Sequence, residues 1–143
     1  MKLRELMTSQ VTTVTENDTC VAAAKKMQQI NAGSMPVVNG DRIVGMITDR
    51  DIVIQCIAKE MDPKSCPVSH CMSKQIVTGT PEMDAHEAAN LMAEHQIRRL
   101  PVCDNQGKLV GIVAIGDLAT VSIHVNEAGE ALSDISESSY RTH

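Results

Sequence analysis

The chain has 143 residues, 43% of them hydrophobic and 22% charged, and a formal net charge of -5, which suits one compact domain or two small halves around a shared core. No run approaches the roughly 18 uninterrupted apolar residues of a membrane span, and the charged start Met1-Lys2-Leu3-Arg4-Glu5-Leu6 does not read as a secretion signal, so a cytoplasmic protein away from the membrane is expected. Basic residues are scattered apart from Lys25-Lys26 and Arg98-Arg99, and Tyr140 is the single aromatic residue, so nucleic acid is not an expected partner: the chain has neither a cationic footprint nor rings on which bases could stack.

In chain order, a β-rich run from Val11 to Val14 precedes a helix whose apolar residues Val21, Ala24 and Met27 recur at helical spacing. A strand beginning at Pro36 follows. Asn39-Gly40 then marks a tight hairpin, because both residues tolerate positive φ, and Ile43-Val44-Gly45-Met46-Ile47 is the returning strand. A helix from about Asp49 to Lys59 closes the unit, and Asp62-Pro63 and Cys66-Pro67 interrupt the pattern as a linker would. The same order then returns. Ile76 to Thr78 is β-rich, and a helix carrying Ala85, Ala88 and Met92 opens behind the capping-box sequence Asp84-Ala85-His86-Glu87. A strand beginning at Pro101, a longer turn at Asp104-Asn105-Gln106-Gly107, the strand Leu109-Val110-Gly111-Ile112-Val113 and a helix from about Ile115 to His124 complete it.

The two halves are one unit written twice. Met7-Thr8-Ser9-Gln10-Val11-Thr12-Thr13 aligns on Met72-Ser73-Lys74-Gln75-Ile76-Val77-Thr78, and the register carries Pro36-Val37 onto Pro101-Val102. Each copy reads β-α-β-β-α, so the expected fold is α/β (α+β), two βαββα motifs packed through their sheets with pseudo-twofold symmetry, since strands as apolar as these need cover. Residues 1–60 are the first repeat, 61–67 the linker, 68–125 the second repeat and 126–143 an acidic, serine-containing tail, loosely ordered unless it docks.

Five cysteines without a C-x-x-C pair read as reduced, mostly buried thiols. Cys66, His70 and Cys71 place two thiols and an imidazole in a short span, but a fourth ligand is not evident and the spacing fits no familiar zinc pattern, so no metal is expected. Nucleophile elbows, metalloprotease helices and phosphate-binding loops are absent, and the chain is not expected to be an enzyme.

The duplicated frame, with Gly45-Met46-Ile47-Thr48-Asp49-Arg50-Asp51 ending one copy, resembles a tandem pair of CBS (cystathionine β-synthase) domains from Leu3 to His124, and looks like the stand-alone CBS-pair proteins of prokaryotes. The resemblance implies a regulatory module with no obligatory cofactor. It would bind an adenosyl ligand such as AMP, ADP, ATP, S-adenosylmethionine or NADH in a cleft between the repeats, pair into a homodimer and signal to an effector protein this chain does not contain.

Within that frame Asp51 is the ribose candidate, because a carboxylate can accept charge-assisted bonds from two vicinal hydroxyls. Thr48 stands at a strand-to-helix corner, where its hydroxyl and free N–H groups can meet a phosphate. Thr48-Asp49-Arg50-Asp51 is equally the pattern of a helix cap that needs no ligand. The resemblance implies that Arg98 and Arg99 reach the phosphates of the ligand held at Asp51, although a solvated charge pair at a helix end is the plain alternative. Asp117, behind Ala114-Ile115-Gly116, is a weaker second site, since Ala114 lacks the hydroxyl and Gly33 and Ser34 stand where the arginines would be. Met46 offers an apolar wall for adenine, or simply packs in the core. Two further readings remain: a ligand-free dimerisation and interaction scaffold, or a thiol or metal sensor using Cys66, His70 and Cys71.

Overall fold

The computed structural model describes residues 1–119, so the expected helix end at His124 and the 126–143 tail lie outside the described residues. The order is α1 (Leu3–Leu6), β1 (Val14–Thr15), α2 (Cys20–Ile30), β2 (Ser34–Asn39), β3 (Arg42–Thr48), α3 (Asp49–Ile52), α4 (Val68–Cys71), α5 (Ala85–His95), β4 (Arg99–Cys103), β5 (Leu109–Ala114) and α6 (Ile115–Ala119), a mixed α/β arrangement. The chain divides into two compact units, Thr12–Ile76 and Met1–Val11 with the described residues from Val77 onward. They are called here the first and second units.

In the first unit β2 is the middle strand, parallel to β1 through Val14↔Val37 and antiparallel to β3 from Ser34↔Thr48 to Asn39↔Arg42. The hairpin loop is Gly40-Asp41 rather than Asn39-Gly40. Asn39 is still paired, and Gly40 takes the positive φ of 65° that a tight turn requires. Pro36 is the third residue of its strand, not the first. Its counterpart Pro101 shows why a proline is tolerated there: the Pro101 carbonyl accepts from Gly79 N at 2.9 Å, on the side of β4 away from β5, so the missing N–H breaks no β4–β5 bond.

Helix α2 begins at Cys20 because Thr19 caps it, its hydroxyl accepting from Ala22 N at 3.1 Å, and ends at Asn31 in the left-handed region. The buried stripe is Cys20, Ala23 and Met27, whereas Ala24, expected on the apolar face, is exposed. Alanines at 22, 23 and 24 fit either face, and contact with the sheet decides which is used. The expected helix from Asp49 to Lys59 is α only to Ile52 and continues as a π-helix over Val53–Ile57, a widened turn that leaves Val53 and Ile57 half exposed and buries Cys56.

The second unit repeats this with changes. Asp84 caps α5 by accepting from His86 N at 2.9 Å, and Ala85, Ala88, Ala89 and Met92 face the core. Strands β4 and β5 pair antiparallel from Arg99↔Ala114 to Cys103↔Leu109, around a loop in which Asp104 Oδ1 accepts from Gln106 N and Lys108 N, both at 2.9 Å. The expected strand at Ile76 to Thr78 is reduced to one parallel bridge, Gly79↔Val102.

Each unit is completed by the segment that opens the other copy. Thr8 bridges Ile112 in the second unit, and Ser73 bridges Met46 in the first. Gly45 and Gly111 make these close approaches possible. A Cβ at Gly45 would lie 2.8 Å from the Ser73 carbonyl oxygen, and one at Gly111 would lie 2.5 Å from Met7 Sδ. The expected linker is likewise built in: Cys20 N donates to Cys66 O at 2.9 Å and Val21 N to Pro63 O at 3.0 Å.

Candidate functional site

Thr48 ends β3 and is the N-cap of α3. Its Oγ1 accepts from Asp51 N at 3.0 Å while Asp51 Oδ2 accepts from Thr48 N at 3.0 Å, a closed reciprocal capping box. Thr48 and Asp51 are therefore brought together, both half-buried, at a strand-to-helix corner. A carboxylate has two oxygens with about four lone-pair sites, so a box that uses Oδ2 leaves acceptor capacity for a hydroxyl pair. Asp49 turns its Oδ1 onto Arg50 N at 2.8 Å, and its backbone N donates to Gly33 O at 2.9 Å, which fixes the corner.

The same corner in the second unit is built from different groups. Asp117 Oδ2 accepts from Ala114 N at 2.8 Å, which is half of the box, and Ala114 has no hydroxyl to return the bond. Arg99 pairs with Ala114 across the sheet at the position where the first unit has Ser34 against Thr48. Its half-buried guanidinium is pushed below its usual pKa by burial, and the nearby negative charge of Asp117 opposes that shift. Arg99 thus lies in the field of the aspartate of its own unit. Arg98 is exposed, and its carbonyl accepts from Ile115 N at 2.8 Å, the counterpart of the Asp49–Gly33 bond.

Met46 is half-buried in β3, its backbone held by paired bonds with Ser73, both 2.9 Å. Of the Cys66, His70 and Cys71 set, His70 is exposed while both thiols are buried, so the imidazole does not join them. They meet Cys20 instead, with Sγ–Sγ distances of 3.6 Å for Cys20–Cys71 and 3.8 Å for Cys66–Cys71. Sequence reasoning missed Cys20 because it is distant in the chain. The available signal is the repeat alignment, which sets Cys20 on Ala85 and Cys71 on Leu6.

The CBS domain family model matches residues 3–56 and 68–124. The CBS domain-containing protein YhcV of Bacillus subtilis is 48% identical over 134 residues, covering 94% of each chain. Hypoxic response protein 1 of Mycobacterium tuberculosis is 38% identical over 117 residues, 81% of each chain. A crystal structure of Hypoxic Response Protein I with two coordinated zinc ions superposes with a TM-score of 0.77 at 37% identity, over 85% of this chain and 98% of that one. A CBS domain protein of Pyrobaculum aerophilum complexed with AMP superposes with a TM-score of 0.78 at 24% identity, over 90% of this chain and 98% of that one. Among the described residues no helix is long and apolar enough to cross a membrane.

Proposed function

The chain belongs to the CBS-domain family, and from that premise we propose that it is a non-catalytic cytoplasmic regulatory module that binds an adenosyl ligand and signals by a change of conformation or partner. The observation that carries the reading is the corner at Thr48 and Asp51, where a half-buried carboxylate and a hydroxyl are held together at a helix start. Asp51 would take the ribose hydroxyls and the Thr48 hydroxyl would donate to a phosphate oxygen, the N–H groups of Asp49, Arg50 and Asp51 being already bonded within the corner. Met46 would supply an apolar wall. Asp117 is the weaker site, because it stands behind an alanine and already lies in the field of Arg99. The AMP-bound relative speaks at its identity for the fold alone, so the ligand class rests on the family and on this corner.

A second reading is supported by the closed capping box itself: Thr48 and Asp51 satisfy each other, and a ligand-free scaffold would need no more of them. On either reading two copies would pair through the apolar Val53, Ile54 and Ile57, which are 56%, 39% and 50% exposed. Titration calorimetry with AMP, ADP, ATP, S-adenosylmethionine and NADH decides between the readings. The sensor reading expects a single ligand per chain, lost in Asp51→Ala and retained in Asp117→Ala. Heat from none of the compounds would establish the scaffold.

A further inference from the structure

We propose that Cys20, Cys66 and Cys71 form a three-thiolate site for a soft divalent metal ion, zinc by preference, inside the first unit. The thiols arrive from separate places in the chain: Cys20 from the first turn of α2, Cys66 from the segment before α4 and Cys71 from the last residue of α4. The Sγ atoms of Cys20, Cys66 and Cys71 all lie within 4.8 Å of one another, two of the distances being 3.6 and 3.8 Å. Tetrahedral zinc with Zn–S bonds of about 2.3 Å needs S···S edges of about 3.8 Å, so this spacing suits a metal cage. Cys56, also buried, lies outside that group, its Sγ donating to the Met61 carbonyl oxygen at 3.6 Å, so the fourth position is left to a ligand from outside the chain.

Packing alone does not call for sulfur at these places. The second unit has the same backbone tie, Ala85 N to Met1 O at 2.8 Å, where the first has Cys20 N to Cys66 O at 2.9 Å. By the repeat alignment it places Ala85, Met1 and Leu6 where Cys20, Cys66 and Cys71 stand. Of these Ala85 is buried, Leu6 half-buried and Met1 exposed, whereas all three thiols of the first unit are buried.

On binding, M²⁺ takes the three R–SH groups as thiolates and each thiol releases its proton, with no change of oxidation state.

The test is the metal content of full-length protein purified without chelator, followed by reconstitution of the metal-free protein with Co²⁺. We expect one equivalent of zinc per chain and a cobalt spectrum with the intense visible bands and sulfur-to-metal charge transfer of tetrahedral thiolate ligation. Cys20→Ala with Cys71→Leu installs the residues of the other unit, so it should stay folded by circular dichroism while losing the metal, and Cys103→Ala should keep it. Metal-free wild-type protein that gains no cobalt bands would overturn the proposal. So would a disulfide among these cysteines, or metal retained by the double variant.

Discussion

The two units share a strand register and a final aspartate but divide their charges differently. In the first, Thr48 and Asp51 close a reciprocal box and the strand opposite offers the small Ser34. In the second, Asp117 holds Ala114 N alone, and the strand opposite offers the cation Arg99. The backbone geometry survives the change because each corner needs only an acceptor for its helix N–H and the hairpin to set it. Site chemistry is therefore free to diverge on a fixed frame. One aspartate is left bonded into a box with a hydroxyl and the other in the field of a guanidinium.

The largest effects are expected in the two cores. Met35 and Leu100 occupy equivalent positions and both are fully buried. Met35→Ala and Leu100→Ala should each cost about 2–5 kcal/mol in urea denaturation, and a difference between them would show that one unit packs less tightly. The glycines come next. Gly45→Ala drives a Cβ against the Ser73 backbone carbonyl, which cannot move without its bridge, whereas Gly111→Ala meets first the flexible end of Met7. We expect about 3 kcal/mol for the former and nearer ~1 kcal/mol for the latter in the same assay.

Smaller effects are expected at the corners. Thr48→Ala should lower stability by about 1 kcal/mol, and Ala114→Thr, which supplies the missing hydroxyl, should recover a similar amount by thermal melt. The smallest effect is expected at the exposed contacts of Lys2 and Arg4 with Glu82, at 2.6 and 2.8 Å. The Lys2 ammonium holds the Glu82 carboxyl below its usual pKa, so this contribution is present above the unfolded carboxyl's pKa and is lost as pH falls through the lower folded value. Glu82→Gln should flatten that acid dependence, and high salt should mask the difference.

Much of the frame could be read from the chain. The duplication, the second repeat's helix with Ala85, Ala88 and Met92 buried, both hairpins and the Thr48–Asp51 box follow from local patterns, because caps, turns and helical periodicity act over a few residues. Misplacements arose where a local pattern was degenerate. The alanines of α2 fit two faces, the run at Ile76 to Thr78 found one bridge rather than a strand, and Val53–Ile57 widened into a π-helix that periodicity cannot distinguish from an α-helix.

By itself, then, the sequence determined the repeat, its βαββα order and the chemistry available at each corner, since these depend on neighbours in the chain. Tertiary structure alone decided that residues 1–11 complete the second repeat's unit and Ser73 the first. It also put Arg99 in the field of Asp117 and gathered Cys20 to Cys66 and Cys71. Those meetings join residues far apart in the chain through packing and strand bridging, for which no local spacing exists to be read.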